Sequence, residues 1–234
     1  MTDFDRYRAL SFDCYGTLID WETGIVQSLQ PWQAWRGVDA TADVLLESFA
    51  RHESDVEAEQ PALAYRLVLS ETLRRMAAEL GSSASDDECT EFGASVGSWP
   101  AFADTAAALR RLQQRYRLII VSNVDRVSFS SSNRRLGVDF DLVVTAEDAG
   151  SYKPAPGHFD LLFAQLSSVG VDRVELLHVA QSLFHDHQPA RRLGLPSVWI
   201  DRRGGRTGGA TRPVDVEVPL RYTSLDEFAD ATGA

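Results

Sequence analysis

The chain has 234 residues, of which 44% are hydrophobic and 24% charged, and a formal net charge of −11 at pH 7. That length fits one large domain or two small ones with a sizeable core, and the acidic balance argues against nucleic acid, whose phosphates need clustered Lys and Arg. No apolar run reaches 18 residues and the start, Met1 to Asp5, lacks the basic and apolar regions of a signal peptide; Cys14 and Cys89 are too few for a disulfide framework. The expectation is a soluble chain of a reducing cytoplasm, away from membranes.

The first element is a short, mostly apolar run from Arg8 to Phe12, which suits a strand buried on both faces. Asp13 follows where the strand should leave the sheet, and Gly16-Thr17 marks a tight turn. Four helices are then expected with no strand among them. They run from Thr23 to about Trp35, from Thr41 or Asp43 onward, from Pro61 through Met76, and from Asp86 to about Val96. Beyond Trp99-Pro100 the rhythm alternates. A helix from Asp104 to Tyr116 leads to the strand Leu118 to Val121, which ends in Ser122-Asn123. A Ser-rich helical stretch precedes the strand Leu142 to Thr145, and the loop Gly150 to Pro156 opens a helix to about Leu166. The strands Glu175 to Val179 and Pro196 to Ile200 flank a helix ending near Leu193. Arg202 to Pro213, rich in Gly and Arg, reads as a mobile surface loop, followed by a small element at Leu220 to Tyr222 and a last helix, Ser224 to Ala231.

Strands alternating with helices imply right-handed crossovers and an α/β doubly wound parallel sheet. The expected division is a Rossmann-like core of residues 1–17 and 99–234, with a helical cap of residues 18–98 inserted after the first strand. Ligands of such sheets bind beyond the carboxyl ends of the strands, so Asp13 should face the crevice and the insertion should sit over it as a lid.

Four pieces in this order resemble the haloacid dehalogenase superfamily of hydrolases: Asp13-Cys-Tyr-Gly-Thr-Leu18, Ser122-Asn123, Lys153-Pro154, and Asp186 after the strand ending at Val179. The likeness spans essentially the whole chain. It implies an aspartate nucleophile that forms a covalent ester or acyl phosphate. The phosphatases of that superfamily carry a second Asp two residues after the nucleophile and an acidic pair that holds magnesium; here Tyr15 and Gln181 stand at the informative places. A Tyr there resembles the 2-haloacid dehalogenase branch, which works without metal. Asp20 to Gly24, Trp99 to Phe102 and His185 to Ala190 are also similar to a narrower group that includes azetidine-2-carboxylate hydrolases.

The resulting expectation is a hydrolase acting at C2 of a small 2-substituted carboxylic acid, foremost a 2-haloacid dehalogenase. Ring-opening of azetidine-2-carboxylate, a magnesium-dependent phosphatase and a non-catalytic small-acid-binding protein are the alternatives. Asp13 would attack C2 in line. Lys153, at about 4 Å and an effective dielectric of roughly 20, would attract it by about 4 kcal/mol and depress its pKa. Asp186 would position Lys153 or activate the hydrolytic water. Thr17, Ser122 and Asn123 would hold the substrate carboxylate, and Arg51 resembles a cap arginine that selects anions. Tyr15, Trp21 and Tyr65 would wall a small apolar pocket. No metal and no cofactor is expected unless the phosphatase alternative holds, and a homodimer is an open possibility. Cys14 should be packed and inert.

Overall fold

The structure, a computed structural model, describes residues 3–234. Six parallel strands form one sheet: β1 (Ala9–Phe12), β2 (Arg117–Ser122), β3 (Leu142–Thr145), β4 (Leu176–Ala180), β5 (Ser197–Ile200) and β6 (Leu220–Tyr222), in the order β3-β2-β1-β4-β5-β6. The chain builds outward from β1 to β3 and then returns to place β4 on the other flank of β1, where Phe12 is paired with both Ile120 and Val179. That reversal opens a crevice at the carboxyl ends of β1 and β4.

Four helices, α1 (Trp21–Arg36), α2 (Ala42–Glu59), α3 (Tyr65–Glu79) and α4 (Asp86–Ala94), lie between β1 and β2, followed by a 3-10 turn, Ser95–Ser98. The others are α5 (Thr105–Leu112), α6 (Arg126–Leu136), α7 (Ala146–Ala149), α8 (Gly157–Gln165), α9 (Gln188–Arg192) and α10 (Leu225–Thr232). Their starts follow local chemistry. Asp20, Thr41, Ser85 and Ser224 each accept a backbone N–H of the first turn, a contribution of about 1 kcal/mol per cap. Pro61 lies outside the helix it was expected to open, because α3 begins at Tyr65 after a turn in which Leu63 N–H donates to Gln60 O. Among the described residues no helix is long and apolar enough to cross a membrane.

Alternation along the strands feeds two apolar layers. Ala9, Ile119, Val121 and Leu176 pack with Phe159 and Leu162 of α8. Leu10, Phe12, Ile120 and Val179 face the opposite way, toward Leu109 of α5 and Phe228 of α10. This second layer continues through Leu18, Trp21 and Trp99 into Ile25, Phe49 and Phe92 of the inserted helices. The chain enters and leaves that helical block at one crossing, where Ile19 bridges Ala101 and Asp20 N–H donates to Pro100 O at 2.8 Å.

The segment from Arg202 to Pro213 was expected to be mobile, yet it is tied down. Arg202 bonds both carboxylate oxygens of Asp104 at 2.8 and 2.9 Å and the Thr17 carbonyl at 3.0 Å. Arg203 pairs with Glu22 on α1 and Arg212 with Asp55 on α2, so this loop straps the inserted helices to the sheet.

Gly24 marks the tightest contact between the insertion and its exit. A Cβ there would sit 2.3 Å from Trp99 Cγ, and Trp99 is fully buried. Gly24→Ala should therefore destabilise the protein by about 1–3 kcal/mol through overpacking, despite alanine's better helix propensity. A denaturant midpoint that rises in this variant would refute the contact.

Candidate active site

Asp13 leaves β1 with its N–H donating to Val179 O at 3.1 Å. The turn beyond it depends on Gly16, whose φ of +91° few side chains tolerate. It returns Thr17 to Asp13: Thr17 Oγ1 donates to Asp13 Oδ2 at 2.6 Å and accepts Gln181 N–H at 2.9 Å. Lys153 arrives from the loop after α7 with its ammonium fully committed. Nζ donates to Asp13 Oδ1 at 2.9 Å, Asp186 Oδ1 at 2.7 Å and Val121 O at 2.9 Å. Asn123, at the end of β2, grips the Lys153 backbone from both sides, accepting its N–H at 2.7 Å and donating to its carbonyl at 3.2 Å.

Asp186 sits on a π-helical turn, Leu183–His187, just beyond β4. Behind it, His178 Nε2 donates to Asp186 Oδ1 at 3.1 Å, which leaves Nδ1 to accept the Ser11 hydroxyl at 2.9 Å. Burial alone would raise the Asp186 carboxyl, but Lys153 and His178 overcome it and hold the group well below the carboxylate range. Burial also works against the Lys153 ammonium, and the charges of Asp13 and Asp186 more than restore it. Asp13 behaves otherwise than expected. Desolvation raises it above its ordinary 3.8; Lys153 opposes this, but that lysine is shared with Asp186, whose own charge raises Asp13 further.

Asp13 opens onto a cavity of only about 20 Å³, also lined by Tyr15, Trp21, Ser122, Asn123 and Lys153. Tyr15 is held by Ser132 at 2.8 Å and packs edge-on to Trp99, and Trp21 packs edge-on to Phe49. Ser122 Oγ is buried without a protein partner. Three expectations change. Thr17 orients Asp13 rather than lining the cavity, because its hydroxyl is already used twice. Asp186 is fully buried off the cavity, so it positions Lys153 and cannot reach a water there. Arg51 lies on the outer side of α2, half exposed and paired with Glu79, one helical face away from the pocket. Cys14 is buried, and desolvation pushes its thiol well up, as an inert packed thiol requires.

In place of a cap cation, the inserted helices bring carboxyls. Glu53 lines the cavity, with Oε1 accepting the Tyr65 hydroxyl at 2.8 Å and Oε2 buried without a partner. Burial pushes Glu53 up to about 7 against the opposing pull of Tyr65 and Arg212. Glu57, one turn on, is raised well above its ordinary range by burial and then by Glu53. His185 also lines the cavity; its Nε2 has no partner, and burial pushes it down to about 4. Two of these residues were detectable as polar interruptions of apolar patterns. Glu53 falls in the stripe Leu45, Phe49, Val56, and His178 in the strand Leu-Leu-His-Val-Ala.

Among the described residues no three His, Cys, Asp or Glu side chains gather as a ligand set, so the residues present do not fit a magnesium site.

Removing Lys153 would leave two buried carboxylates without their shared cation. Lys153→Met should cost about 3–5 kcal/mol in denaturant unfolding at neutral pH. Because Asp186 is held below its unfolded value, its stabilisation is present above that value and is lost as pH falls through the folded one. The variant's deficit should accordingly shrink in acid.

Comparison with known proteins places the chain in a family. A family model for haloacid dehalogenase-like hydrolases matches residues 7–193. The (S)-2-haloacid dehalogenase of Pseudomonas sp. (strain YL) is 25% identical over 240 residues, covering 98% of this chain and 97% of that protein. That of Pseudomonas fluorescens is 26% identical over 212 residues, 83% of this chain and 84% of that one. Among solved structures, the L-2-haloacid dehalogenase PA0810 superposes with a TM-score of 0.77 at 20% identity, over 96% of this chain and 99% of its own. With the family's model covering most of the chain, this protein belongs to the haloacid dehalogenase-like hydrolases.

Proposed function

We propose that the enzyme hydrolyses a bond at C2 of a small 2-substituted carboxylic acid through an ester on Asp13, foremost a carbon–halogen bond. The observation that carries this reading is the Asp13 carboxylate, held by Thr17 and Lys153 at the edge of a small cavity that Tyr15, Trp21 and Tyr65 wall together with polar side chains. An Asp13 oxygen attacks C2 from the side opposite the halogen, which leaves as halide with the bonding pair. Water then adds to the ester carbon of Asp13 and releases a 2-hydroxy acid whose new oxygen came from the aspartate. Tyr15 and Trp21 supply the apolar surround in which a partly desolvated carboxylate attacks carbon. The Ser122 hydroxyl, on the cavity wall without a protein partner, can donate to the substrate carboxylate. The curated relatives, both (S)-2-haloacid dehalogenases, support the choice of leaving group.

A cavity of about 20 Å³ takes a water or two but not a three-carbon acid, so entry requires the covering helices to move. In this proposal the segment 18–98 is a lid that closes over bound substrate. No metal takes part, since the ammonium of Lys153 does the work of charge balance.

One observation favours a second leaving group. The cavity wall presents Glu53, with Oε2 unpartnered, rather than a cation, and that oxygen can accept a hydrogen bond from an acid that also carries an ammonium. Azetidine-2-carboxylate is such a substrate, and opening its strained ring uses the same attack at C2.

Purified enzyme should release halide from 2-chloropropionate, or ring-opened product from the azetidine, at a rate that chelators leave unchanged. Asp13→Asn should lower turnover by at least about 1,000-fold. A single turnover in heavy-oxygen water should place label in Asp13, whereas label confined to product would mean direct attack by water. Activity requires ionised Asp13, so kcat/KM should fall as pH drops through a value above 3.8. Chelator-sensitive hydrolysis of a generic phosphate ester would sink the proposal.

A further inference from the structure

Hydrolysis of an aspartyl ester needs a group that removes a proton from the attacking water, and Asp186 is sealed away from the cavity. The candidates that line it are Glu53 and His185, each with a buried atom that no protein group satisfies. An unmet carboxylate oxygen in a site 2% exposed is costly unless a ligand or water uses it. Tyr65 clamps Oε1 at 2.8 Å, so the carboxyl is held in one orientation with Oε2 free.

We propose that Glu53 is the second catalytic carboxyl, set across the cavity from Asp13, which takes the proton of the hydrolytic water and, where the leaving group is a nitrogen, first supplies that nitrogen's proton. This rests on the ester chemistry proposed above. In the hydrolytic step a water oxygen bonds to the Asp13 ester carbon while its proton passes to Glu53. The tetrahedral centre then expels the C2 oxygen, which takes that proton back and leaves as a hydroxyl. Asp13, now a carboxylic acid, loses its proton to solvent when a halide left, or to Glu53 when a nitrogen had taken Glu53's proton. In that second case the C2–N pair goes to nitrogen, Glu53 protonates the amine, and the resulting carboxylate is ready for the water.

The two carboxyls sit in different surroundings. Asp13 has the ammonium of Lys153 against it, while Glu53 is surrounded by Tyr65 of α3, Glu57 of its own helix, Arg212 of the strap and His185 beyond β4. Burial puts Glu53 near 7, where it can both give and take a proton, whereas His185 near 4 is the weaker base.

The test uses the whole enzyme with 2-chloropropionate, whose leaving group needs no proton. Glu53→Gln should release one equivalent of halide, retain the substrate as an adduct on Asp13 in denaturing mass spectrometry, and turn over about 100-fold more slowly or worse. Glu53→Asp should recover part of the turnover, and Tyr65→Phe should slow hydrolysis without slowing ester formation. The limb of the pH profile near 7 should vanish in Glu53→Gln. Product formation by Glu53→Gln at the wild-type rate, absence of its halide burst, or trapping of the adduct by His185→Gln instead would overturn the assignment. A wild-type enzyme that labels no Asp13 with either 2-chloropropionate or azetidine-2-carboxylate removes the ester reading itself, a distinguishable failure.

Discussion

The site is organised by a single ammonium. Lys153 Nζ sits within 3 Å of two carboxylates and a strand carbonyl in a place with essentially no solvent, so each donor is matched to an acceptor. Taking such charges out of water is expensive, and here three hydrogen bonds from one ammonium in fixed geometry offset that cost. That arrangement reaches far into the fold. Asn123 holds the lysine's backbone at the end of β2, and His178 and Ser11 support Asp186 from beneath β4 and β1. The central strands of the sheet are thereby joined at their carboxyl ends by one polar network.

One positive charge shared by two carboxylates leaves the cluster with a negative balance. Asp186, with Lys153 and His178 against it, is the member held firmly ionised, while Asp13 absorbs the effect of burial. The consequence is a carboxyl group that is oriented on both oxygens and poorly hydrated. Such a group is more reactive toward carbon than a solvated carboxylate, provided it remains charged. The inserted helices complete this environment from the other side with aromatic rings and Glu53. Their apolar core runs unbroken into that of the sheet through Trp21 and Trp99, and the strap of Arg203 and Arg212 adds ionic ties. Cover and sheet are consequently coupled through both packing and charge.

Where reading the chain went astray, the reasons are local. The Gly- and Arg-rich segment 202–213 looks loose by composition, but its arginines meet Asp104, Glu22 and Asp55, residues distant in sequence. Arg51 was chosen from a motif position, and its helical phase turns it toward Glu79. Thr17 has the right chemistry for binding an anion, yet its capacity is consumed by Asp13 and Gln181. Hydrogen-bonding capacity is finite, and which partner claims it is decided in three dimensions.

The order of elements and the parallel sheet were legible from the chain's own patterning, and the grouping of Asp13, Lys153 and Asp186 from its resemblance to the haloacid dehalogenase superfamily. Buried strands write continuous apolar runs, and residues at strand ends converge wherever such strands are parallel. Which side chains face the cavity was decided only by tertiary structure, because helix phase and crossing geometry depend on packing across the whole block. The same holds for protonation. Burial and the sharing of one lysine between two carboxylates set the behaviour of Asp13 and Glu53, and neither quantity exists until the chain is folded.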